Sequence, residues 1–337
     1  MSSNAQLDLD TRLGFIPDYL PVFEDKLFIE GPQTARRRTN FFALLLFATI
    51  IATYGVLSDS SATVIGAMLV APLMTPIIAT TAAVIMGNKP RALHSLALTA
   101  AGALFVIVIA TLLTWVIPDM TISFTDNQEI SSRTSPGLYA LVTALGAGAA
   151  GAFITSRAEI SDSIGGVAIA VALAPPLCVV GISIQQRQWD AATGAFLLFM
   201  TNYLATLLAG GIVLMLVGLD KQGVNQEQTR FRQTGFRIFV VGTLLLLIPL
   251  GWTAYSGLKG LTENSIANAE VQEWLEGTSY VVESVEVKGD LVTATVDGSG
   301  ELNSLEDLVD QLAMELNHPI TVDLRIIQAL MSNDSSP

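Results

Sequence analysis

Long apolar runs, separated by short polar connections, make up most of the first 255 residues of the chain. Each run approaches or exceeds the roughly 20 residues that an α-helix needs to cross a bilayer. The pattern therefore predicts an α-helical polytopic membrane protein with seven transmembrane helices. The predicted segments lie at 41–57, 62–87, 92–117, 138–155, 166–184, 195–218 and 238–255.

The pattern changes after residue 256, where charged residues become frequent. LTENSIANAEVQEWLEG (261–277) predicts a helix, and SYVVESVEV (279–287) and DLVTATV (290–296) alternate at the period of strands. SLEDLVDQLAMELN (304–317) predicts an amphipathic helix, and PITVDLRII (319–327) predicts a final strand. The order α-β-β-α-β predicts a small soluble α+β domain, and it resembles the order of elements in the BON domain of envelope proteins.

Composition supports membrane insertion and argues against several other classes of protein. Hydrophobic residues make up 51% of the 337 residues and charged residues 14%, whereas soluble domains carry about 25% charged residues. The net charge of −13 argues against nucleic-acid binding. The single cysteine, Cys178, excludes an intrachain disulfide or a thiolate metal site. The sequence lacks the motifs of zinc proteases, serine hydrolases and phosphate-binding loops, so we expect no enzyme, no cofactor and no metal.

The distribution of lysine and arginine predicts the orientation. Connections on one side of the seven segments carry 12 of these residues, and connections on the other side carry two. Because cytoplasmic loops hold the excess of positive charge, we expect a cytoplasmic N-terminus and an extracytoplasmic C-terminal domain in a prokaryotic inner membrane. The polar, acidic first 39 residues lack the pattern of a signal peptide.

These patterns divide the chain into seven parts. The N-terminal part has Pro17 and Pro21 among aromatic and aliphatic residues, and it lies either along the cytoplasmic interface or against the helices as a short arm. The predicted parts are a cytoplasmic or interfacial N-terminal segment (1–39), transmembrane repeat 1 (40–118), an external loop (119–137), transmembrane repeat 2 (138–218), a cytoplasmic basic linker (219–237), transmembrane helix 7 (238–255) and an extracytoplasmic α+β domain (256–337).

Repeats 1 and 2 are inferred from two similar stretches that lie 103 residues apart. SDSSATVIGAMLVAPLMTPI begins at Ser58, and SDSIGGVAIAVALAPPLCVV begins at Ser161. Both open on Ser-Asp-Ser and contain Ala-Pro at the same separation. Because each unit has three crossings, the second copy is predicted to be inverted relative to the first, an arrangement that recurs in transporters.

Prolines interrupt the central apolar segment of each copy. As one helix, 61–87 would extend about 40 Å across a hydrocarbon core of about 30 Å, so it either tilts steeply or is broken. Pro72 and Pro76 each remove a backbone hydrogen bond from it, and Pro175 and Pro176 do the same in the second copy. Irregular backbone survives in a membrane only where protein or water satisfies it. The alternatives are a functional break that binds an ion or solute and a plain packed kink.

Candidate pathway residues cluster in these two stretches. Ser-Asp-Ser suits a helix N-cap, and the alternative is that the two acids attract cations at two mouths of a pathway. None of the seven segments contains Asp, Glu, Lys or Arg, so neutral groups such as Thr75 and Asn202, which matches Thr99 across the repeat, would line the pathway. The candidates are Ser58, Asp59, Ser60, Pro72, Thr75, Pro76, Ser161, Asp162, Ser163, Pro175, Pro176 and Asn202. The stretch ALGAGAAGA predicts close helix packing at Gly146, Gly148 and Gly151.

The SDS…IGAMLVAPLMTPI stretch, the Ala-Pro-Pro copy and the number of apolar segments resemble a known family. It is the prokaryotic "uncharacterised hydrophobic domain" family of membrane proteins, domain of unknown function family 389. The resemblance covers roughly residues 40–220 and is most specific at 58–77. It implies a multi-pass membrane location and brings no established activity with it.

The sequence supports two functional hypotheses. The first is a channel or transporter for a small ion or solute, with its pathway at the two proline-broken helices. The alternative is a membrane-anchored sensor or scaffold whose external α+β domain binds a partner or ligand. In both cases we expect the lipid bilayer as the environment, a homo-oligomer as the assembly and no nucleic-acid partner.

Overall fold

A computed structural model describes residues 14–116, 123–124, 126–134, 137–160, 173–221, 226–300, 302–316 and 318–327. The chain divides into two compact units, residues 1–251 and residues 252–337. In the described residues, the first unit is helical and the second combines helices with a three-stranded sheet. The predicted class, a mostly helical protein with a small C-terminal α+β unit, is confirmed.

The helices that begin in the first unit follow the apolar runs. They are α1 (Leu20–Leu27), α2 (Thr34–Leu57), α3 (Ser61–Val70), α4 (Met74–Ile85), α5 (Lys89–Val116), α6 (Gln128–Thr134), α7 (Leu138–Thr155), α8 (Ala174–Gln185), α9 (Trp189–Leu216) and α10 (Gln226–Trp274). Short 3₁₀ turns lie at Pro17–Tyr19 and Leu219–Lys221.

Several of these helices have the length of a membrane span. Four of them, α2, α5, α9 and the part of α10 up to Pro249, are long and apolar enough to cross a membrane. The number rises to six if α3 with α4, and α6 with α7, each count as one bent span. The predicted segment 166–184 begins outside the described residues, and its described part belongs to α8, an apolar helix of 12 residues. Seven crossings and an inverted repeat therefore stay predictions.

α4 and α8 form the centre of the first unit. Every residue of α4 from Pro76 to Ile85 is buried, and so is every residue of α8 from Ala174 to Ser183. α4 packs against α5 and α9, while α8 packs against α2, α5 and α9. α4 and α8, which both begin with prolines in their first turn, therefore supply much of the core of the helical unit.

Prolines mark the starts of both central helices. α3 and α4 meet at a bend of 49°, with Pro72 in the connection between them. Pro76 is the third residue of α4, and Pro176 is the third residue of α8. A proline in the first turn costs little, because its missing N–H would have no partner in the helix there. The segment 62–87 is therefore broken, as one of the two predicted alternatives requires.

The N-terminal segment packs on the helices as an arm. Phe15, Tyr19 and Phe23 are buried in the main hydrophobic core. The rings of Phe15 and Phe23 meet edge to face with their centroids 5.4 Å apart. The N–H of Phe15 donates to the carbonyl of Val217 at 2.7 Å. Of the two alternatives for this segment, the contacts support the packed arm.

Two predicted connections contain helices. The predicted external loop 119–137 includes α6, whose Ile130 is fully buried. The predicted linker 219–237 contains the start of α10, which continues through Pro249 and includes most of the helix expected at 261–277. The Gln, Glu and Arg residues of the linker are good helix formers, so the helix begins well before the apolar run.

The second unit confirms the predicted α-β-β-α-β order. The end of α10 is followed by β1 (Val281–Lys288), β2 (Leu291–Asp297), α11 (Leu305–Leu316) and β3 (Thr321–Ile327). The sheet order is β1-β2-β3, with β1 and β2 antiparallel and β2 and β3 parallel. Val292, Ala294 and Val296 of β2 share one buried core with Leu308 of α11. Every second residue of β2 is therefore buried, which is the period of two that the sequence pattern predicts for a strand.

The same turn follows both central helices. The N–H of Gly87 donates to the carbonyl of Val84 after α4, and the N–H of Arg187 donates to the carbonyl of Ile184 after α8. Gly87 has φ +71° and Arg187 has φ +59°. This is the Schellman ending of a helix, in which a left-handed residue reverses the chain. In each case a helix of 28 residues follows, α5 in the first case and α9 in the second.

α4 begins at residue 74 and α8 at residue 174, so the starts of the two central helices lie 100 residues apart. The spacing of 103 that aligns Ser58 with Ser161 does not extend into these helices. At a spacing of 100, Asn202 corresponds to Gly102. The helix bounds therefore do not support the predicted match of Asn202 with Thr99.

Replacing Arg187 with glycine is expected to stabilise the protein by about 1 kcal/mol, because a left-handed backbone costs an ordinary residue about 1–2 kcal/mol and glycine little. The measurement is the melting temperature of the purified protein in detergent. Gln186→Gly is the matched control, since φ is −83° at Gln186 and glycine there should cost about 0.5–1 kcal/mol. A lower melting temperature for Arg187→Gly would contradict the turn geometry.

Candidate functional site

A cavity with apolar and polar walls lies at the break between α3 and α4. Its volume is about 380 Å³, and Pro72, Thr75 and Pro76 line it at the break. Thr75 is exposed, although it belongs to a strongly apolar segment. Apolar residues such as Leu27, Phe41 and Leu98 form much of the remaining lining. Polar and charged side chains from α1, α2 and α5 also line it: Asp25, Lys26, Arg37, Asn40, His94 and Ser95. The predicted residues of the first break therefore line one cavity.

The first turn of α4 begins at this break without a side-chain cap. Its N-cap residue is Leu73, which has no polar side chain, and no side chain of the N-cap satisfies the first N–H groups. The positive end of a helix dipole and such N–H groups favour an anion or a polar oxygen. On the other side of the break, Pro72 cannot donate to the carbonyl of Met68, and a carbonyl without a donor favours a cation. The break can therefore bind either kind of small polar species.

Two arginines tie the N-terminal arm to the helices beside the cavity. Arg37 Nη2 donates to the two carboxylate oxygens of Asp25 at 2.7 and 2.8 Å. Arg91 pairs with Glu24 and with Glu30, each at 3.0 Å. Exposed ion pairs are worth about 0–1 kcal/mol each, so the buried aromatic residues of the arm contribute the larger part of its attachment.

Ser58, Asp59 and Ser60 lie at the opposite end of α3 from the break. Ser60 caps α3, since its Oγ accepts from the N–H of Thr63 at 3.4 Å. Asp59 has φ +51°, and its carboxylate accepts from the N–H of Glu129 at 2.8 Å. Both contacts are those of helix caps. A role for these residues at the mouth of a pathway stays a prediction.

α6 covers this end of α2 and α3 and contains a buried ion pair. Glu129 is 6% exposed, and its Oε2 lies 2.8 Å from Arg133 Nη2. Ser61 Oγ donates to Glu129 Oε1 at 2.5 Å. Asn127 Nδ2 donates to the carbonyl of Val56 at 2.8 Å. Hydrogen bonds therefore join α6 to the turn between α2 and α3, and its two charges compensate each other where water is scarce.

Buried polar residues also lie inside the helical unit, on several helices that include α9. Thr201 and Asn202 are buried there, but Asn202 does not line the cavity at the break. Within the described part of the chain, the hydroxyls of Ser183, Tyr203 and Thr206 are buried without a hydrogen-bond partner. An unpaired buried hydroxyl costs about 1–3 kcal/mol. The three hydroxyls therefore carry an energetic cost where they lie.

The three glycines predicted to mediate helix packing differ in their surroundings. A Cβ on Gly148 would meet the Cα of Thr206 on α9 at 2.5 Å, so α7 and α9 are in backbone contact there. Gly151 is buried. A Cβ on Gly146 would meet nothing within 4 Å in the described structure. Gly181 of α8, which the sequence analysis did not single out, approaches the backbone of α5 as closely as Gly148 approaches α9.

The stretch of the second copy is described only in part. Ser161, Asp162 and Ser163 lie outside the described residues. Pro175 and Pro176 lie in the first turn of α8, and both are buried. A break that mirrors the one between α3 and α4 therefore stays a prediction.

The ends of the helices contact one another in two separate sets. In one set, Arg38 near the start of α2 lies 3.3 Å from His94 of α5, and Gly87 after α4 is close to Gln228 of α10. In the other set, the turn after α2 meets α6, and Gly194 of α9 is close to the carbonyl of Thr134. These are the pairs of helix ends that the predicted alternation of crossings places on the same side.

Sequence reasoning missed Glu129 and Arg133. Their separation of four residues permits an ion pair on one helix face, and Asn127 before them is a favoured N-cap residue. These two signals are sufficient to predict a short helix in the segment 119–137. They do not predict its burial, which depends on α2, α3, α8 and α9.

The first unit has long apolar helices around two buried helices that begin with prolines, and the second unit is a small α+β unit. These features define a class: a helical protein compatible with membrane insertion. The family model described as "Domain of unknown function (DUF389)" matches residues 68–208. The chain is 31% identical over 227 residues to uncharacterized protein MJ0678 of Methanocaldococcus jannaschii, covering 67% of this chain and 69% of that protein. The chain therefore belongs to this family, and the resemblance identified from the sequence is confirmed.

Proposed function

We propose that the protein is a membrane channel or transporter for a small ion or solute, and not an enzyme. The observation that carries the proposal is the cavity at the break between α3 and α4, in which polar and charged side chains lie beside the broken backbone. Pro72, Thr75 and Pro76 line it, and Pro76 also belongs to the buried core helix α4. In membranes, irregular backbone occurs where it lines a cavity, and broken helices form the binding sites of many transporters.

The proposed path has charged residues in the cavity at the break and none in the two central helices. α4 and α8 contain no Asp, Glu, Lys or Arg. The unpaired hydroxyls of Ser183, Tyr203 and Thr206 are buried polar groups within the helical unit that a path through it could use. Hydroxyls and backbone groups of this kind coordinate ions and solutes in other pores. The proposal therefore needs no carboxylate that takes up a proton inside the membrane.

The inverted repeat is part of the proposal. The equal lengths of α4 and α8 and of α5 and α9, with the same turn between them, support two copies of one unit. A helix of 12 residues extends about 18 Å, a little over half of a 30 Å hydrocarbon core. Each central helix would thus extend from one surface to the middle of the bilayer. The charge distribution supports an inner-membrane location with a cytoplasmic N-terminus, and we include a homo-oligomer in the proposal.

Thr75→Trp is expected to reduce flux to the level of protein-free vesicles. The indole would occupy the cavity at the point where the two prolines line it, so an ion or solute would lose its route. The measurement uses the purified protein in liposomes with fluorescent indicators of K⁺ and Cl⁻ and with osmotic swelling in glycerol.

Thr143→Trp is the matched control, because it places the same side chain on the exposed surface of α7. This variant should retain wild-type flux. Wild-type flux in Thr75→Trp would exclude the cavity from the pathway. Wild-type protein that passes none of the probes above the empty-vesicle rate would count against transport of small ions and solutes.

The sensor or scaffold is a second candidate, and the separate core of the second unit favours it. Trp274, Val292 and Leu308 belong to a buried cluster of their own. A domain with its own core can present a binding surface independently of the helices. Absence of flux in the vesicle assay, together with membrane localisation, would favour this candidate over transport.

A further inference from the structure

We propose that the protein binds an anionic phospholipid in a groove between α2 and α5. The groove has a volume of about 450 Å³ and is called here the Phe42 groove. It is lined by Arg38, Thr39, Phe42, Ala43, Leu46 and Phe105. None of these residues lines the cavity at the proline break. The inference rests on the membrane location within the proposed function and is independent of transport.

The apolar part of the Phe42 groove suits an acyl chain. Phe42 and Phe105 meet edge to face with their ring centroids 5.4 Å apart. From Arg38 to Leu46 the helix rises about 12 Å, which is close to the roughly 15 Å of hydrocarbon in one leaflet. The neighbouring Phe47 is 57% exposed, so the surface beside the groove is apolar as well.

The polar end of the Phe42 groove suits a phosphate. Arg38 Nη2 lies 3.3 Å from His94 Nε2, so a guanidinium and an imidazole meet there. Arg37 and Arg91 are paired with acids of the N-terminal arm. Within the described part of the chain, Arg38 has no such carboxylate partner. A guanidinium binds a phosphate through two parallel hydrogen bonds, so a phosphate is the complementary group.

An intact anionic lipid is the occupant that fits both parts of the groove. A free phosphate leaves the phenylalanine surface uncovered by apolar contacts. A zwitterionic lipid also carries a phosphate, but the cation of its headgroup offsets the attraction of that phosphate to Arg38. Basic residues at the cytoplasmic surface of a membrane attract anionic lipids for this reason, and the predicted orientation places Arg38 on that side.

The test is lipid binding by the purified full-length protein, measured by native mass spectrometry in detergent. The two probes are phosphatidylglycerol and phosphatidylcholine with identical acyl chains. We expect Arg38→Gln to lower the affinity for phosphatidylglycerol by about tenfold, the usual effect of losing a charge-assisted contact. Affinity for phosphatidylcholine, whose phosphate is offset by the choline cation, should fall much less. Arg36→Gln removes the same charge from the same helix outside the groove and should bind both lipids as the wild type does.

A second variant tests the apolar part without changing the charge. Ala43→Trp fills the Phe42 groove, so phosphatidylglycerol binding should fall although Arg38 is intact. The melting temperature of each variant shows that it is folded. If Arg38→Gln does not fold, Ala43→Trp alone decides, because wild-type phosphatidylglycerol affinity in that variant contradicts the site.

Two further results would overturn the proposal. Equal affinity of the wild type for both lipids, or equal losses in Arg36→Gln and Arg38→Gln, would show a general attraction to the basic surface. Displacement of phosphatidylglycerol by millimolar inorganic phosphate would assign the site to the ion instead of the lipid. Flux is not measured in this test, so its failure is distinguishable from a failure of the transport proposal.

Discussion

Replacing Gly148 with leucine should separate α7 from α9 and prevent recovery of a folded, monodisperse protein. A Cβ at Gly148 would lie 2.5 Å from the Cα of Thr206 and 3.1 Å from its carbonyl oxygen. Both are backbone atoms, so no change of rotamer relieves the clash and the helices must move apart. Leu141, Ala144 and Ala205 share a buried cluster at this contact and would lose it. Overpacking and lost burial together are expected to cost more than about 3 kcal/mol.

Gly146→Leu is the matched control for this prediction. It makes the same change on the same helix two residues away, where a Cβ would meet nothing within 4 Å in the described structure. Removing a glycine from a helix is mildly favourable, by about 0.5–1 kcal/mol. The two variants are compared by size-exclusion profile and melting temperature in detergent. If Gly148→Leu is as stable as Gly146→Leu, the close approach of α7 and α9 is wrong.

Arg133→Met should destabilise the protein by about 3–5 kcal/mol, because it leaves a buried carboxylate without its cation. The side chains of Glu129 and Arg133 are 8% and 12% exposed, and they lie 2.8 Å apart. The measurement is the melting temperature of the purified protein in detergent.

A double variant separates charge from packing in this cluster. Glu129→Gln with Arg133→Met removes both charges, so it should recover much of the stability that Arg133→Met loses. Arg36→Met at an exposed position is the control for loss of an arginine and should stay within about 0.5 kcal/mol of the wild type. Wild-type stability of Arg133→Met would contradict the burial of the pair. A double variant as unstable as Arg133→Met would show that Arg133 acts through packing.

The break between α3 and α4 could be predicted because its causes are local. Pro72 removes a hydrogen bond within one helical turn, and the apolar run is too long for one straight span. Thr75 and Pro76 were likewise predicted as candidates from their place in that run, and they line the cavity. The charged groups that complete the cavity, such as Asp25 and Arg37, come from the arm and α2. No local pattern connects them with the prolines.

The burial of α6 could not be predicted because its causes are distant in the chain. Glu129 and Arg133 have the composition of a solvated loop when the sequence is considered alone. Their partners Asp59 and Ser61 lie 70 and 68 residues away from Glu129. The Ser-Asp-Ser stretch was correctly recognised as suited to helix capping, but the second helix that Asp59 caps appears only when the two segments meet.

The sequence by itself determined most of the helices, all three strands of the second unit, where the prolines end and begin helices, and to which family the chain belongs. These properties depend on hydropathy, period and hydrogen bonds that act over a few neighbouring residues. The sequence did not predict α6 or the helical start of α10. Only the tertiary structure decided which groups are buried and which helices touch: the Glu129–Arg133 pair, the arm at Phe23 and the contact at Gly148. Burial depends on neighbours supplied by other helices, and a backbone contact such as that of Gly148 depends on how closely two helix axes approach. Gly146 and Gly148 therefore have the same predicted role in the sequence, but only Gly148 contacts another helix in the fold.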